Sequence, residues 1–184
     1  GEGQILGQVH DAYLNAQTEN STDKIISGLF QRAFKTAKQV HTESNINVGK
    51  VSVASVAVDL AISIFSDLAN KTALVIGSGE TGELALKTLV AQGIKKVLVA
   101  NRSIDKAKVV AEQYGGEAFA LGKLEDYFHR ADIVISSTAA PTPILSADDF
   151  RNALKQRKNE PMFAIDIAVP RDIESEVGDL DDVY

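Results

Sequence analysis

Cysteine is absent from the 184 residues. The chain therefore forms no disulfide, builds no thiolate zinc site and offers no thiol nucleophile, and a thiol-free sequence fits a reducing compartment. Long apolar runs are lacking too. None reaches the roughly 18 residues of a membrane span, and stretches such as 133–135 and 164–169 are strand-sized. There is no signal-like charged and apolar leader, and the first residue is Gly1 rather than Met, so the sequence reads as a fragment of a longer protein. Basic charge is in deficit: 19 Lys and Arg against 25 Asp and Glu give a net charge of −6. That excludes a general nucleic-acid-binding surface and leaves room only for a local basic groove. No repeat or low-complexity segment interrupts the chain. What remains is 45% hydrophobic and 24% charged, the composition of a globular protein of one large domain or one domain plus a smaller part.

The first 70 residues have a helical period. Ile5, Leu6, Val9, Ala12 and Tyr13 fall on one face of a first helix. Ile26, Leu29, Phe30, Ala33, Phe34, Ala37 and Val40 stripe a second, after a polar break at 18–22. A third runs from Ser52 to Phe65, with Val53, Val56, Ala57, Leu60, Ala61 and Ile64 expected inward. The expectation is three core-packing helices.

From Lys71 onward strand and helix alternate. Apolar strands are expected at 72–76, 96–100, 117–121, 132–136 and 162–167, with helices between them. Gly93 and Gly115-Gly116 stand where helices end, Ser103 where one begins, and Ser146-Ala-Asp-Asp149 reads as a capping box. The alternation specifies βαβ units on a parallel sheet: an α/β, Rossmann-type doubly wound domain preceded by a helical segment. Residues 178–184 look like the beginning of a sixth strand.

The most informative motif is Gly77-Ser78-Gly79-Glu80-Thr81-Gly82. It follows an apolar strand and opens a helix, the context that turns a glycine pattern into a dinucleotide-binding fingerprint. Gly77 suits the tight turn, Gly79 the approach of a pyrophosphate, and Gly82 close packing of helix on strand, with the phosphates at the positive helix end. About 20 residues on, where NAD-binding folds carry an acid for the ribose hydroxyl, stand Asn101-Arg102-Ser103. A carboxylate there repels a 2′-phosphate and an arginine pairs with it, so the expected cofactor is NADPH. Ser137, Thr138 and Ala139 follow the fourth strand and leave room for a nicotinamide ring. Asp166 ends the fifth strand and needs a hydrogen-bonding partner.

No metal or hydrolytic constellation emerges. His10, His41 and His129 lack ligand spacing and read as helix-surface residues. Ser52 and Ser55 lie in an apolar helix without a nucleophile elbow. The acids Glu174, Glu176, Asp179, Asp181 and Asp182 read as a solvated surface.

These features together resemble the glutamyl-tRNA reductases, and the resemblance covers essentially the whole chain. It rests on Gly1-Glu-Gly-Gln4-Ile-Leu-Gly-Gln8-Val, Ala37-Lys38 followed by Thr42-Glu43, and Val51-Ser-Val-Ala-Ser55. It continues through the 77–82 loop, Ala100-Asn-Arg-Ser103, Ala131-Asp-Ile-Val-Ile-Ser-Ser-Thr138 and Ile165-Asp-Ile-Ala-Val-Pro-Arg-Asp-Ile173. Departures are mild: Thr81 stands where Met is common, and His10 and His41 where Lys or Arg is usual.

The resemblance implies a cytoplasmic enzyme of tetrapyrrole (5-aminolevulinate) synthesis. Such an enzyme reduces glutamyl-tRNA with NADPH to glutamate-1-semialdehyde through a cysteine thioester. The family's cysteine lies upstream of the motif that opens this chain, so this fragment alone is expected to be inactive. Residues 1–48 then correspond to the helical tail of the catalytic domain, 49–70 to a connecting helix and 71–184 to the NADP domain. Glu2, Gly3, Gln4 and Gln8 match positions lining the glutamyl site. Implied partners are glutamyl-tRNA, a second copy through a C-terminal dimerisation domain, and the downstream aminomutase. Two other readings remain: a shikimate-dehydrogenase-like NADP oxidoreductase, which shares the Asn-Arg-Ser turn, and a non-catalytic NADP-binding module.

Overall fold

The computed structural model describes residues 3–44, 53–77 and 79–184. They fall into two units, Gly1–Ser52 and Val53–Tyr184. In the first unit, α1 (Gly3–Thr18) and α2 (Lys24–Glu43) are joined through the polar break. Asp23 caps α2, its Oδ1 accepting the Ile26 N–H at 2.7 Å. The two helices meet through rings: Tyr13 stacks on Phe30 at 5.0 Å between centroids, and Phe34 meets both Tyr13 and His10. The expected core does not close here. Tyr13 is the one buried residue among the described side chains of α1, and α2 buries none. Two helices in contact cover one strip each, so Ile25, Leu29 and Val40 on the rest of the apolar face stay exposed.

The second unit begins with α3 (Val53–Phe65). Its buried face is Ala57, Val58 and Ala61, whereas Val56 and Leu60, expected inward, are about half exposed. This helix is apolar around most of its circumference, so periodicity leaves its phase open. Packing chooses the side where two alanines permit a close approach.

The sheet that follows is parallel, with β1 (Thr72–Ile76), β2 (Lys96–Asn101), β3 (Glu117–Ala120), β4 (Ile133–Ser136) and β5 (Phe163–Asp166) in the order β3-β2-β1-β4-β5. Each strand lies within a residue or two of its expected bounds. Alternation along the strands sends Val75, Val99 and Ile135 to one face and Leu74, Leu98 and Val134 to the other. The first face packs on α3, α4 (Glu80–Ala91) and α5 (Ile104–Gln113); the second packs on α6 (Leu124–Phe128) and α7 (Ala147–Gln156). Both faces are covered, as the continuous apolar strands require. Gly93 ends α4 at φ 111°, and the Ser146–Asp149 capping box at α7 is complete. Near the end of the chain Val183 forms a parallel bridge to Met162, so the expected sixth-strand segment does lie beside β5.

The amino edge of the sheet is tied by Asp132. Its carboxylate accepts the Thr72 N–H at 2.8 Å and the Arg157 guanidinium at 2.7 Å, with the Lys71 ammonium at 3.6 Å. Arg157 also donates to the carbonyls of His129 and Pro161, and its side chain is only 6% exposed. Arg157→Met is expected to lower unfolding stability by about 2 kcal/mol in urea titration. That is less than removal of one partner from a fully isolated buried pair, because Lys71 still faces Asp132. No helix among the described residues is long and apolar enough to cross a membrane.

Candidate functional site

Order reverses between β1 and β4: the chain leaves β1 toward β2 on one side and returns to β4 on the other. Ligands of open α/β sheets bind at this switch point, beyond the carboxyl ends of the strands. Register aligns those ends, with Ile76 opposite both Ala100 and Ser136, and Ser136 opposite Asp166. The residues just past them face a common cleft of about 640 Å³.

Gly77, Gly79, Asn101, Arg102, Ser103, Ser137, Thr138 and Ala139 line that cleft together. These were separate candidates along some 60 residues of sequence, and the fold converges them. Glu80, Thr81 and Gly82 open α4 beside it without lining it. Ser78 lies outside the described residues, as do Glu2 and the side chain of Gln4. Gly3 begins α1, and Gln8 is exposed on the same helix.

The glycines are explained by one neighbour. Gly77 has φ 98°, and a Cβ there would collide with the Ser137 carbonyl. A Cβ on Gly79 would sit 2.5 Å from Ser137 Oγ, and one on Gly82 2.9 Å from Ser137 Cβ. The expected tightness of Gly82 against the first strand is milder, at 3.8 Å from Val75. The three glycines thus admit the turn after β4 as closely as they admit any phosphate.

The two helix starts beside the cleft lack side-chain caps, as does the start of α6. α2 and α7 have side-chain caps, whereas neither Gly79 at α4 nor Ser103 at α5 caps its helix with a side chain. Asn101 Oδ1 accepts the Ser103 N–H at 3.1 Å, which holds the turn rather than a ligand. Uncapped helix amides carry partial positive charge and await an acceptor.

Charge in the lining is of one sign. Among the described residues, Arg102 and Lys106 are its only ionisable lining groups, neither forms an ion pair, and no carboxylate lines the cleft. In a chain of net charge −6 that is a local reversal. Lys106 escaped the sequence reading, together with Leu121 and Ile144. Its available signal was a position four residues beyond Arg102, one helical turn along α5.

Behind the cleft lies a carboxylate that the sequence reading also passed over. Asp172 is fully buried and accepts the Ser136 hydroxyl at 2.7 Å, the Thr138 N–H at 2.8 Å and the Thr138 hydroxyl at 2.5 Å. Asp166 has the partners its position demanded: it accepts the N–H groups of Ala168, Asp172 and Ile173 at 2.9–3.0 Å. The two acids fasten the turn after β4 to the loop after β5. Asp172→Ala strands three donors and is expected to cost about 2 kcal/mol in urea titration. Asp172→Asn is expected to recover about half, since an amide oxygen still accepts the Thr138 N–H.

Residues 1–44 match the sequence model of the glutamyl-tRNAGlu reductase N-terminal domain, and residues 59–184 that of shikimate / quinate 5-dehydrogenase. A glutamyl-tRNA reductase of Saccharophagus degradans is 52% identical over all 184 residues, which cover 43% of its length. That of Pseudomonas aeruginosa is 50% identical, with 44% of its length covered. Among solved structures, glutamyl-tRNA reductase from Methanopyrus kandleri matches with a TM-score of 0.70 and 42% identity, over 100% of this chain and 46% of that one. The chain thus spans less than half the length of these relatives.

Proposed function

The chain belongs to the glutamyl-tRNA reductase family, and we propose that it carries the NADPH-binding part of an enzyme that reduces glutamyl-tRNA to glutamate-1-semialdehyde in tetrapyrrole synthesis. The observation that carries this reading is the cleft at the switch point, cationic at one end and lined by small residues at the other. When bound, NADPH supplies a hydride for an activated acyl carbon.

The residues present suit that cofactor. The uncapped start of α4, reached past side-chain-free Gly77 and Gly79, can donate amides to a pyrophosphate. Arg102 and Lys106 can pair with a ribose 2′-phosphate, and no carboxylate among the described lining residues opposes them. Thr138 and Ala139, fixed from behind by Asp172, form a small-residue wall at the carboxyl edge of β4. That wall would leave room for a flat ring. Glu2, Gly3, Gln4 and Gln8 are proposed to help bind the glutamyl group, at the end of a catalytic domain that residues 1–48 complete. The sequence has no thiol, so the nucleophile belongs to another segment, and this chain alone is expected to turn over no substrate.

A chimera tests the reading. A cysteine-bearing segment of the kind the family resemblance implies upstream is joined ahead of Gly1. Glutamate-1-semialdehyde is then measured from glutamyl-tRNA and NADPH. Product from the chimera and none from the chain alone is the expected result; an inactive chimera that nonetheless folds and binds NADPH contradicts the assignment. The match of residues 59–184 to shikimate / quinate 5-dehydrogenase favours one rival reading, which predicts shikimate-dependent NADPH formation by the chain itself.

A further inference from the structure

The longest helix among the described residues, α2, has a face that its packing on α1 does not use. Between Asp23, its cap, and Glu43, its last residue, α2 runs for 19 residues without an acid, in a chain where acids outnumber bases. Lys24, Arg32, Lys35 and Lys38 lie on it, all exposed and none ion-paired among the described residues. At 100° per residue they occupy a sector of roughly 120°, and from first to last they span about 21 Å along the axis. The apolar stripe, including Phe30 and Phe34 against Tyr13, is centred on the opposite side.

We propose that this face of α2 docks the phosphate backbone of the tRNA substrate. The inference rests on the functional reading above and goes beyond it by assigning a surface. Four cations spread along about 21 Å do not converge on one anion; they match a ligand whose negative charges repeat at similar spacing. The centre of the apolar stripe points away, so a partner attracted by the lysines meets mainly polar side chains, with exposed Ile25 at the edge of the sector. That argues for a polyanion in water over an anionic lipid surface. Interfacial helices insert the apolar face opposite their cations into the membrane; on α2 the middle of that face, Phe30 and Phe34, is already packed on Tyr13 and His10 of α1. Backbone contacts carry no base sequence, so docking here positions the RNA rather than selecting it.

The test is fluorescence anisotropy of the intact chain with a labelled, unacylated glutamate tRNA transcript over a salt series. Lys35→Gln with Lys38→Gln is expected to weaken binding about tenfold or more near 0.1 M salt, and to lower the slope of log affinity against log salt by about 1.5. Glutamine matches lysine in helix propensity, so circular dichroism should be unchanged. Arg32→Gln alone, with a slope change of about 0.8, gives an independent reading if the double variant loses helix. Lys87→Gln with Lys155→Gln, on other helices, removes the same charge and is expected to leave affinity unchanged. Equal losses in the two double variants, an unaltered salt slope, or tighter binding to phosphatidylserine vesicles than to the transcript would overturn the proposal. A chain that binds NADPH but no transcript sinks the docking face alone; one that binds neither sinks the functional reading as well.

Discussion

Arg102→Ala is expected to weaken NADPH binding by about 100-fold while leaving NADH within about twofold, the difference of a charge-assisted pair with a phosphate against its absence. The asymmetry is the informative part. Arg102 is exposed at the mouth of the cleft and forms no ion pair among the described residues, so its removal strands no buried partner and leaves folding stability nearly unchanged. NADH and NADPH share every other group, so a loss confined to NADPH locates the contact at the 2′-phosphate. Lys106→Ala is expected to act in the same direction and more weakly, because an ammonium offers no bidentate fork. Equal losses for the two cofactors would remove the 2′-phosphate role from Arg102. Paired titrations of the two variants against both cofactors supply the numbers.

Gly77→Ala is expected to destabilise the second unit by about 4 kcal/mol, beyond the typical point substitution, because two named mechanisms act at once. The backbone at 98° lies where side chains are rarely tolerated, and the new Cβ meets the Ser137 carbonyl, a backbone group that cannot rotate aside. Relief requires the turn after β4 to move, and that turn is fastened by Asp172. Loss of NADPH binding is expected to accompany the loss of stability. Gly122→Ala is the matched control: it has open space around its Cβ and no unusual φ, so its effect should stay within about 0.5 kcal/mol. Urea titrations of both variants decide the matter; a Gly77 variant as stable as the Gly122 variant would contradict the packing described here.

The parts of this structure readable from sequence are those set by local pattern. The five strands are apolar runs because both faces of a parallel sheet are covered, and Gly77, Gly93 and Ser146 punctuate them through local backbone chemistry. Asn101-Arg102-Ser103 was legible because a missing acid at one expected position carries information. Asp172 was not, since its partners Ser136 and Thr138 stand 34 to 36 residues away and nothing local separates a buried acid in that loop from a solvated one. Lys106 looked like any surface lysine of an amphipathic helix until the fold set it beside Arg102. The phase of α3 was hidden because a helix apolar almost all round has no preferred side. The open stripe of α2 shows the converse: a clear period says which face seeks cover, not whether cover is present.

Isothermal titration of the unmodified 184-residue chain with NADPH and with NADH tests the central claim most directly. The account predicts a single site per chain that takes NADPH about 100-fold more tightly than NADH. No binding of either cofactor, or NADH binding as tightly as NADPH, would contradict it.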